Sequence, residues 1–95
     1  MFKDLDPILH SQLRLAIMSI LISTDEADFV FLKEKTGSTS GNLSVQIDKL
    51  REAGYIEVVK SFKGKMPCTT CKITSMGINA FEKYVAVLQS YIRIK

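Results

Sequence analysis

Leu43, Ile47 and Leu50 recur at i, i+4 and i+7, a narrow apolar stripe that predicts an amphipathic helix within Thr39 to Glu57, running straight into a strand. Ser38 and Thr39 are residue types whose hydroxyls satisfy free amides of a first turn, and Gly54 stands where a left-handed C-terminal stop is wanted. The sequence therefore bounds this helix at both ends. Its opposite face carries Gly41, Asn42, Val45, Asp48, Lys49 and Glu52, with Ser44 at the margin. A first turn of Ser, Gly and Asn has low intrinsic helix propensity but is small and rich in hydrogen-bonding groups. Such a turn can come close to another surface.

The remaining elements follow from the same periodicities. Asp6 and Pro7 predict a helix start, with a carboxylate cap and a proline at the first position, and helix 1 is expected from about Pro7 to Ile22. Its second half, Leu15, Ala16, Ile17, Met18, Ile20, Leu21 and Ile22, is apolar almost all round, so part of it is expected to meet another subunit. Ser23 to Ala27 is a polar break with room for a one-residue strand against the later hairpin, and Asp28 and Gly37 bracket a short helix 2 from Phe29 to about Thr36. Tyr55 to Ser61 alternates as a half-buried strand does, Lys63 to Pro67 reads as a hairpin tip, and Cys68 to Ile73 as the return strand with Cys71 and Ile73 inward. Thr74 caps a last helix of about Ser75 to Ile92. There Gly77, Phe81, Tyr84, Leu88 and Tyr91 form a coiled-coil-like seam, widened by Ile78, Val85 and Ile92.

Ninety-five residues suit one domain, residues 1–95, able to bury roughly two thirds of its unfolded surface. Hydrophobic residues at 46% and charged ones at 24% exclude a disordered chain. The start MFKDLDP lacks the basic-then-apolar order of a signal peptide, and the run Leu15 to Ile22 is too short to span a bilayer, so a cytoplasmic protein with no membrane partner is expected. Charge is uneven. Residues 1 to 32 carry a net −3, which leaves +6 for the remainder of a chain whose total is +3. Between Val58 and Phe81 there is no acid, only Lys60, Lys63, Lys65 and Lys72; taken alone that is a solvated hairpin, but beside a helix with a polar, small-residue face it suggests a phosphate-contacting patch.

Candidate chemistry is sparse. Cys68-x-x-Cys71 has the spacing of a metal or redox pair, but structural zinc wants four ligands and the chain adds one histidine, His10, far away in sequence. On a regular strand residues three apart point to opposite faces, whereas a redox pair of this spacing opens a helix. Two reduced thiols, one packed and one exposed, are expected, with no metal and no cofactor. His10 has no carboxylate or thiol at ligand spacing and belongs to the helix surface or a subunit contact. A glycine-rich phosphate loop, a nucleophile elbow and paired carboxylates are all missing from the sequence, so an enzyme is not expected.

The run GNLSVQIDKLREAGYIEV, preceded by a short helix and followed by two strands around a basic loop, resembles the winged helix-turn-helix DNA-binding domain of small MarR-like and ArsR-like transcriptional regulators. LHSQLRLAIMSIL, Leu9 to Leu21, is similar to that family's first helix, and ITSMGINAFEKY, Ile73 to Tyr84, to its strand end and the T-x-x-G start of its last helix. The resemblance covers nearly the whole chain in order. It implies an α+β fold, mainly α: a winged helix-turn-helix with a three-helix core, a β-hairpin wing and a long C-terminal dimerisation helix. It further implies double-stranded DNA and a second copy of the chain as partners, with a small-molecule effector as a further partner to look for. Helix 3 would enter the major groove: Asn42 and Gln46 would meet bases or phosphates, Val45 a thymine methyl, and Ser38, Thr39, Ser40, Ser44 and Lys49 phosphates or base edges. Lys60, Lys63 and Lys65 would hold the wing to the backbone. A dimer would be built on Leu13, Ile17, Ile20 and Leu21 of helix 1 with Phe81, Tyr84, Leu88 and Tyr91 of the last helix. Two departures stand out: Thr36 and Ser38 replace aliphatic core residues, and Met66 and Cys68 flank Pro67 where relatives place arginines. The weak net charge, the acidic pair Asp48 and Glu52 on the exposed helix face and the missing wing arginines favour the alternative of a winged helix serving as a protein-interaction module.

Overall fold

The structure, a computed structural model, describes residues 2–93, so positions 1, 94 and 95 of the expected 1–95 unit lie outside the described residues. In chain order it forms α1 (Gln12–Thr24), β1 (Glu26–Asp28), α2 (Phe29–Thr36), α3 (Ser40–Glu52), β2 (Ile56–Lys63), β3 (Met66–Ile73) and α4 (Ser75–Ile92). This is the expected α+β, mainly helical winged-helix architecture. The strands make one antiparallel sheet in the order β1-β3-β2. Leu9, Ile17, Met18, Leu21, Leu32, Leu43, Leu50 and Cys71 are fully buried and form the centre of the core, joined by Ile47, Ile56, Ile73 and Tyr84. Each such aliphatic side chain contributes about 1.5–3 kcal/mol on leaving water.

Local signals placed α2 and α3. The Asp28 carboxylate accepts a hydrogen bond from Phe31 N at 2.8 Å, and Gly37, in the left-handed region, closes α2 with its N–H on the Lys33 carbonyl. Thr39 caps α3 by accepting from Asn42 N at 3.2 Å, and the stripe Leu43, Ile47 and Leu50 is buried as its spacing predicts. The three residues Gly37–Thr39 join these helices.

The start of helix 1 differs from expectation. Asp6 does cap, its carboxylate accepting from Ile8 N at 2.8 Å, but it closes only a single turn before the chain becomes extended at Ser11, φ −151° and ψ 129°. Tertiary contacts impose the break. Leu9 is drawn fully into the core, the Arg14 guanidinium donates to the Ile8 carbonyl, and the Tyr55 hydroxyl donates to the Asp6 carboxylate. Burial and the neighbouring Asp6 carboxylate push the Tyr55 hydroxyl up to about 12, so it stays a donor at neutral pH. His10 also moves: it lies outside the helix, its Nδ1 3.1 Å from the Tyr84 hydroxyl.

The hairpin is longer than expected and its tip shorter. Register pairs Lys63 with Met66, leaving Gly64 and Lys65 as a two-residue turn. Gly64 has φ 62° while Lys65 keeps a negative φ, the combination that requires glycine at the first central position. β1 is three residues long, pairing Glu26 to Asp28 with Lys72 to Thr70.

α4 sits directly on the turn that follows α3. Thr74 Oγ1 accepts from Gly77 N at 3.0 Å and donates to the Gly54 carbonyl at 2.7 Å, while Thr74 N donates to the Tyr55 carbonyl at 3.1 Å. A Cβ added at Gly77 would run into that same Tyr55 carbonyl oxygen and come within 3.1 Å of Ile73 Cγ1.

The α4 seam is divided. Ile17, Leu21 and Tyr84, expected at a dimer face, are buried inside the protomer, because α1 turns those positions into the core and the N-terminal segment covers Tyr84. Tyr91 is likewise engaged at home, stacked on Phe2 at 4.7 Å between ring centroids with its hydroxyl donating to the Lys3 carbonyl. Leu88 and Ile92 remain 39% and 77% exposed. The molecule measures 57 × 25 × 21 Å with a radius of gyration of 14.4 Å, against about 12 Å for a compact chain of this length. The far half of α4 therefore packs Tyr84, Val87 and Tyr91 on its own protomer and leaves Leu88 and Ile92 open.

The Gly77 contact yields a stability prediction. Gly77→Ala should lower unfolding free energy by about 1–3 kcal/mol or more, because backbone rather than a flexible side chain must give way. Urea titration followed by circular dichroism reads it; a change within about 0.5 kcal/mol would contradict the close approach.

Candidate nucleic-acid interface

α3 and the hairpin together present one surface. Burial of Leu43, Ile47 and Leu50 turns Gly41, Asn42, Ser44, Val45, Asp48, Lys49 and Glu52 outward, all exposed, with Val45 at 50%. Ser40 opens the helix and Thr39 caps it, both exposed. Ser38 is half-buried with its hydroxyl 2.8 Å from that of Thr36. That pair explains the two polar residues at the end of α2: each satisfies the other, and Thr36 also donates to the Leu32 carbonyl.

Between α3 and the hairpin runs a cleft of about 340 Å³ lined by Ser44, Asp48, Lys60 and Thr69, with Ile47, Val58 and Phe29 at its floor. Lys60 is thus brought beside α3, whereas Lys63 and Lys65 stand exposed at the hairpin tip. Asp48 is 3.7 Å from Arg51, an exposed pair one helical turn apart that contributes little to stability. Phe62 and Met66 flank the tip lysines at 72% and 70% exposure. The sequence reading did not single out Phe62, which shares the parity of inward Ile56 and Val58 and is exposed because burial along β2 is lost beyond Val58.

Gln46 differs from its neighbours. It is half-buried, its Oε1 accepts from Arg14 Nη1, and its Nε2 donates to Asn42 Oδ1 at 3.0 Å. Arg14 was missing from the candidate residues. Its signal in the sequence is faint, a basic residue in helix 1 without an acid one turn away, since the partner lies 32 positions on.

Gly41 needs no glycine for the protein's own packing. An added Cβ there meets nothing within 4 Å among the described residues. Ordinary helix energetics disfavour glycine, so the bare first turn of α3 has no explanation inside the fold.

Both cysteines lie on β3, Cys71 buried and Cys68 half-buried where an exposed thiol was expected. Register places Cys71 opposite Val58 and Cys68 opposite Ser61, so the sulfurs diverge as expected for a strand. Burial pushes the Cys71 thiol up to about 11, which keeps it protonated at neutral pH. Among the described residues no three metal-ligating side chains cluster.

The winged helix DNA-binding domain family matches residues 13–92, from the start of α1 to the end of α4. The chain belongs to that family. An uncharacterized protein of Methanocaldococcus jannaschii is 39% identical over 79 residues, 82% of this chain and 85% of that relative. Among solved structures, a transcriptional regulator homologue from Pyrococcus horikoshii OT3 is similar at a TM-score of 0.84 and 28% identity, over 90% of this chain and 84% of that one. NadR in complex with 4-hydroxyphenylacetate shares the winged-helix fold at a TM-score of 0.73 and 18% identity, over 90% of this chain and 63% of that chain. The family is one of DNA-binding domains rather than enzymes. Among the described residues, no helix of this winged helix is long and apolar enough to cross a membrane.

The bare first turn generates a test. Gly41→Ala should leave the winged helix as stable or raise its stability by up to about 1 kcal/mol, while weakening binding to duplex DNA at least severalfold. Thermal melts and fluorescence anisotropy on one preparation read both; unchanged affinity would contradict close approach at this turn.

Proposed function

We propose that this protein is a homodimeric, sequence-specific transcriptional regulator that inserts α3 into the major groove and lays the hairpin wing along the flanking backbone and minor groove. The observation that carries the reading is the outward face of α3, bare at its first turn, lying next to a hairpin that carries no acid from Val58 onward. In this reading Asn42 and Val45 meet base edges, Gln46 supports Asn42, and Ser38, Thr39, Ser40, Ser44 and Lys49 hold phosphates or edges. Lys60, Lys63 and Lys65 neutralise wing-side phosphates. A protein with this role and without a membrane-spanning helix among its described residues works in the cytoplasm, as one unit spanning residues 1–95. NadR's complex with 4-hydroxyphenylacetate makes a small-molecule effector part of the reading, and the cleft of about 320 Å³ between the N-terminal segment and α4, bordered by Tyr55, Lys83 and Tyr84, has room for a compact ligand.

The dimer proposed here is narrower than the sequence suggested. With Ile17, Leu21 and Tyr84 inside the protomer, the contact rests on Leu88 and Ile92 of α4, with half-buried Phe81 and Val85 on the same helix, whereas half-buried Leu13 and Ile20 of α1 border grooves shared with α2 and α3. Leu88→Glu is expected to fold, since its site is exposed in the protomer, and to sediment as a monomer at micromolar concentration. A wild type that is itself monomeric there contradicts the dimer.

Reading and holding separate by mutation. Asn42→Ala or Val45→Ala should relax base preference by about 1–3 kcal/mol at one or two pairs of an inverted-repeat site whose halves lie about one helical turn apart. Lys63→Ala with Lys65→Ala should weaken all sequences nearly alike and reduce the salt slope by roughly two per subunit. The alternative of a protein-interaction module draws on Asp48, Glu52 and the arginine-free wing. It takes over if no symmetric site is enriched from random duplexes and Asp48→Ala with Glu52→Ala abolishes a protein contact.

A further inference from the structure

Arg14, Gln46 and Asn42 form a hydrogen-bonded chain that runs from the inside of the molecule to the exposed face of α3. Arg14 is half-buried at the foot of α1, where Nε donates to the Ile8 carbonyl and Nη1 donates to Gln46 Oε1. Gln46 Nε2 then donates to Asn42 Oδ1 at 3.0 Å, one helical turn towards the start of α3. Asn42 is exposed and ends the chain.

The chain has a direction, and Arg14 sets it. A guanidinium has only donors, so the group it meets must turn an acceptor towards it. Gln46 therefore points its carbonyl inward and its NH2 outward. That NH2 in turn fixes the Asn42 carbonyl inward, so the half of the Asn42 amide left facing outward is its NH2. An asparagine free to rotate shows donor or acceptor equally well, but this one is held as a donor.

We propose that Arg14, which lies on another helix and is placed here behind the base-contacting side chains, is a specificity-determining positioning residue: by fixing the polarity of the Gln46–Asn42 pair it makes Asn42 read an acceptor edge of a base. In the major groove N7 accepts on either purine, but at the exocyclic position guanine offers O6 and thymine O4 where adenine and cytosine place amino donors, so a donor there reads the keto base of the pair. The base pair facing Asn42 is then read through guanine or thymine. The inference rests on the reading that α3 faces the bases.

Parallel selections from randomised duplex DNA with the full chain test it, using wild type, Asn42→Ala, Arg14→Lys, Arg14→Gln and Arg14→Glu. Asn42→Ala identifies the position by losing preference there. Wild type and Arg14→Lys, both with donor-only side chains, should favour the same base pair in the same orientation at that position by roughly fivefold or more. Arg14→Gln, which can be donor or acceptor, should flatten the preference. Arg14→Glu, acceptor only, should reverse the chain and move the preference to a pair with its amino base where the wild type has the keto base, as from G·C to C·G. A purely structural role for Arg14 would change affinity or stability but not the identity of the favoured base. The proposal is overturned if Arg14→Lys changes the favoured pair, or if Arg14→Gln and Arg14→Glu keep the wild-type pair in its wild-type orientation. Should Arg14→Glu fail to fold, full retention of preference by Arg14→Gln overturns it alone. A wild type that enriches no site at all removes the DNA-reading account itself and this inference with it.

Discussion

The contact on which the rest depends is the seating of α4 on the peptide of Tyr55. Thr74 and Gly77 hold the Gly54 and Tyr55 carbonyls through hydrogen bonds and an approach too close for any side chain at position 77. The same Tyr55 places its hydroxyl on Asp6. One residue after α3 thereby ties the exit of that helix to the N-terminal segment and to the helix proposed to carry the second subunit. A dimer contact on α4 would fix the orientation of α3 through this short junction rather than through a flexible linker.

α3 is built to be held from one side and open on the other. Leu43, Ile47 and Leu50 are sealed in the core, which leaves the outward side free of any packing demand. Its composition is correspondingly free to suit another surface, and Gly41 is the residue whose identity the fold explains least. Arg14 and Gln46 complicate that division, since they carry order from α1 onto the outward face. The wing departs in the opposite sense: lacking arginines beside Pro67, it combines Lys63 and Lys65 with exposed Phe62 and Met66. Lysine holds phosphate as a point charge and does not fill a narrow groove as arginine does.

What was legible in the sequence was what local chemistry decides. Asp28 and Gly37 bracket α2, Thr39 caps α3, and the i, i+4, i+7 stripe faces the core, because each signal acts within a few residues. The break at Ser11 was not legible, since it comes from Leu9 burial and from Arg14 and Tyr55, groups distant in sequence. Periodicity gave the width of the α4 stripe but not which half the protomer would cover itself; the N-terminal segment takes Tyr84 and Tyr91 and leaves Leu88 and Ile92. The outward residues of α3 could be named from spacing. The polarity of Asn42 could not, because it depends on a partner of its partner.

The central claim is that α3 and the wing form the DNA-contacting surface, and backbone amide shifts during titration with a short mixed-sequence duplex test it most directly. The account predicts that perturbations concentrate on Thr39 to Lys49 and on Lys60 to Thr69, fading as salt is raised because phosphate contacts release counterions. Perturbations confined to α4, or a duplex that shifts no amide at low salt, would contradict it.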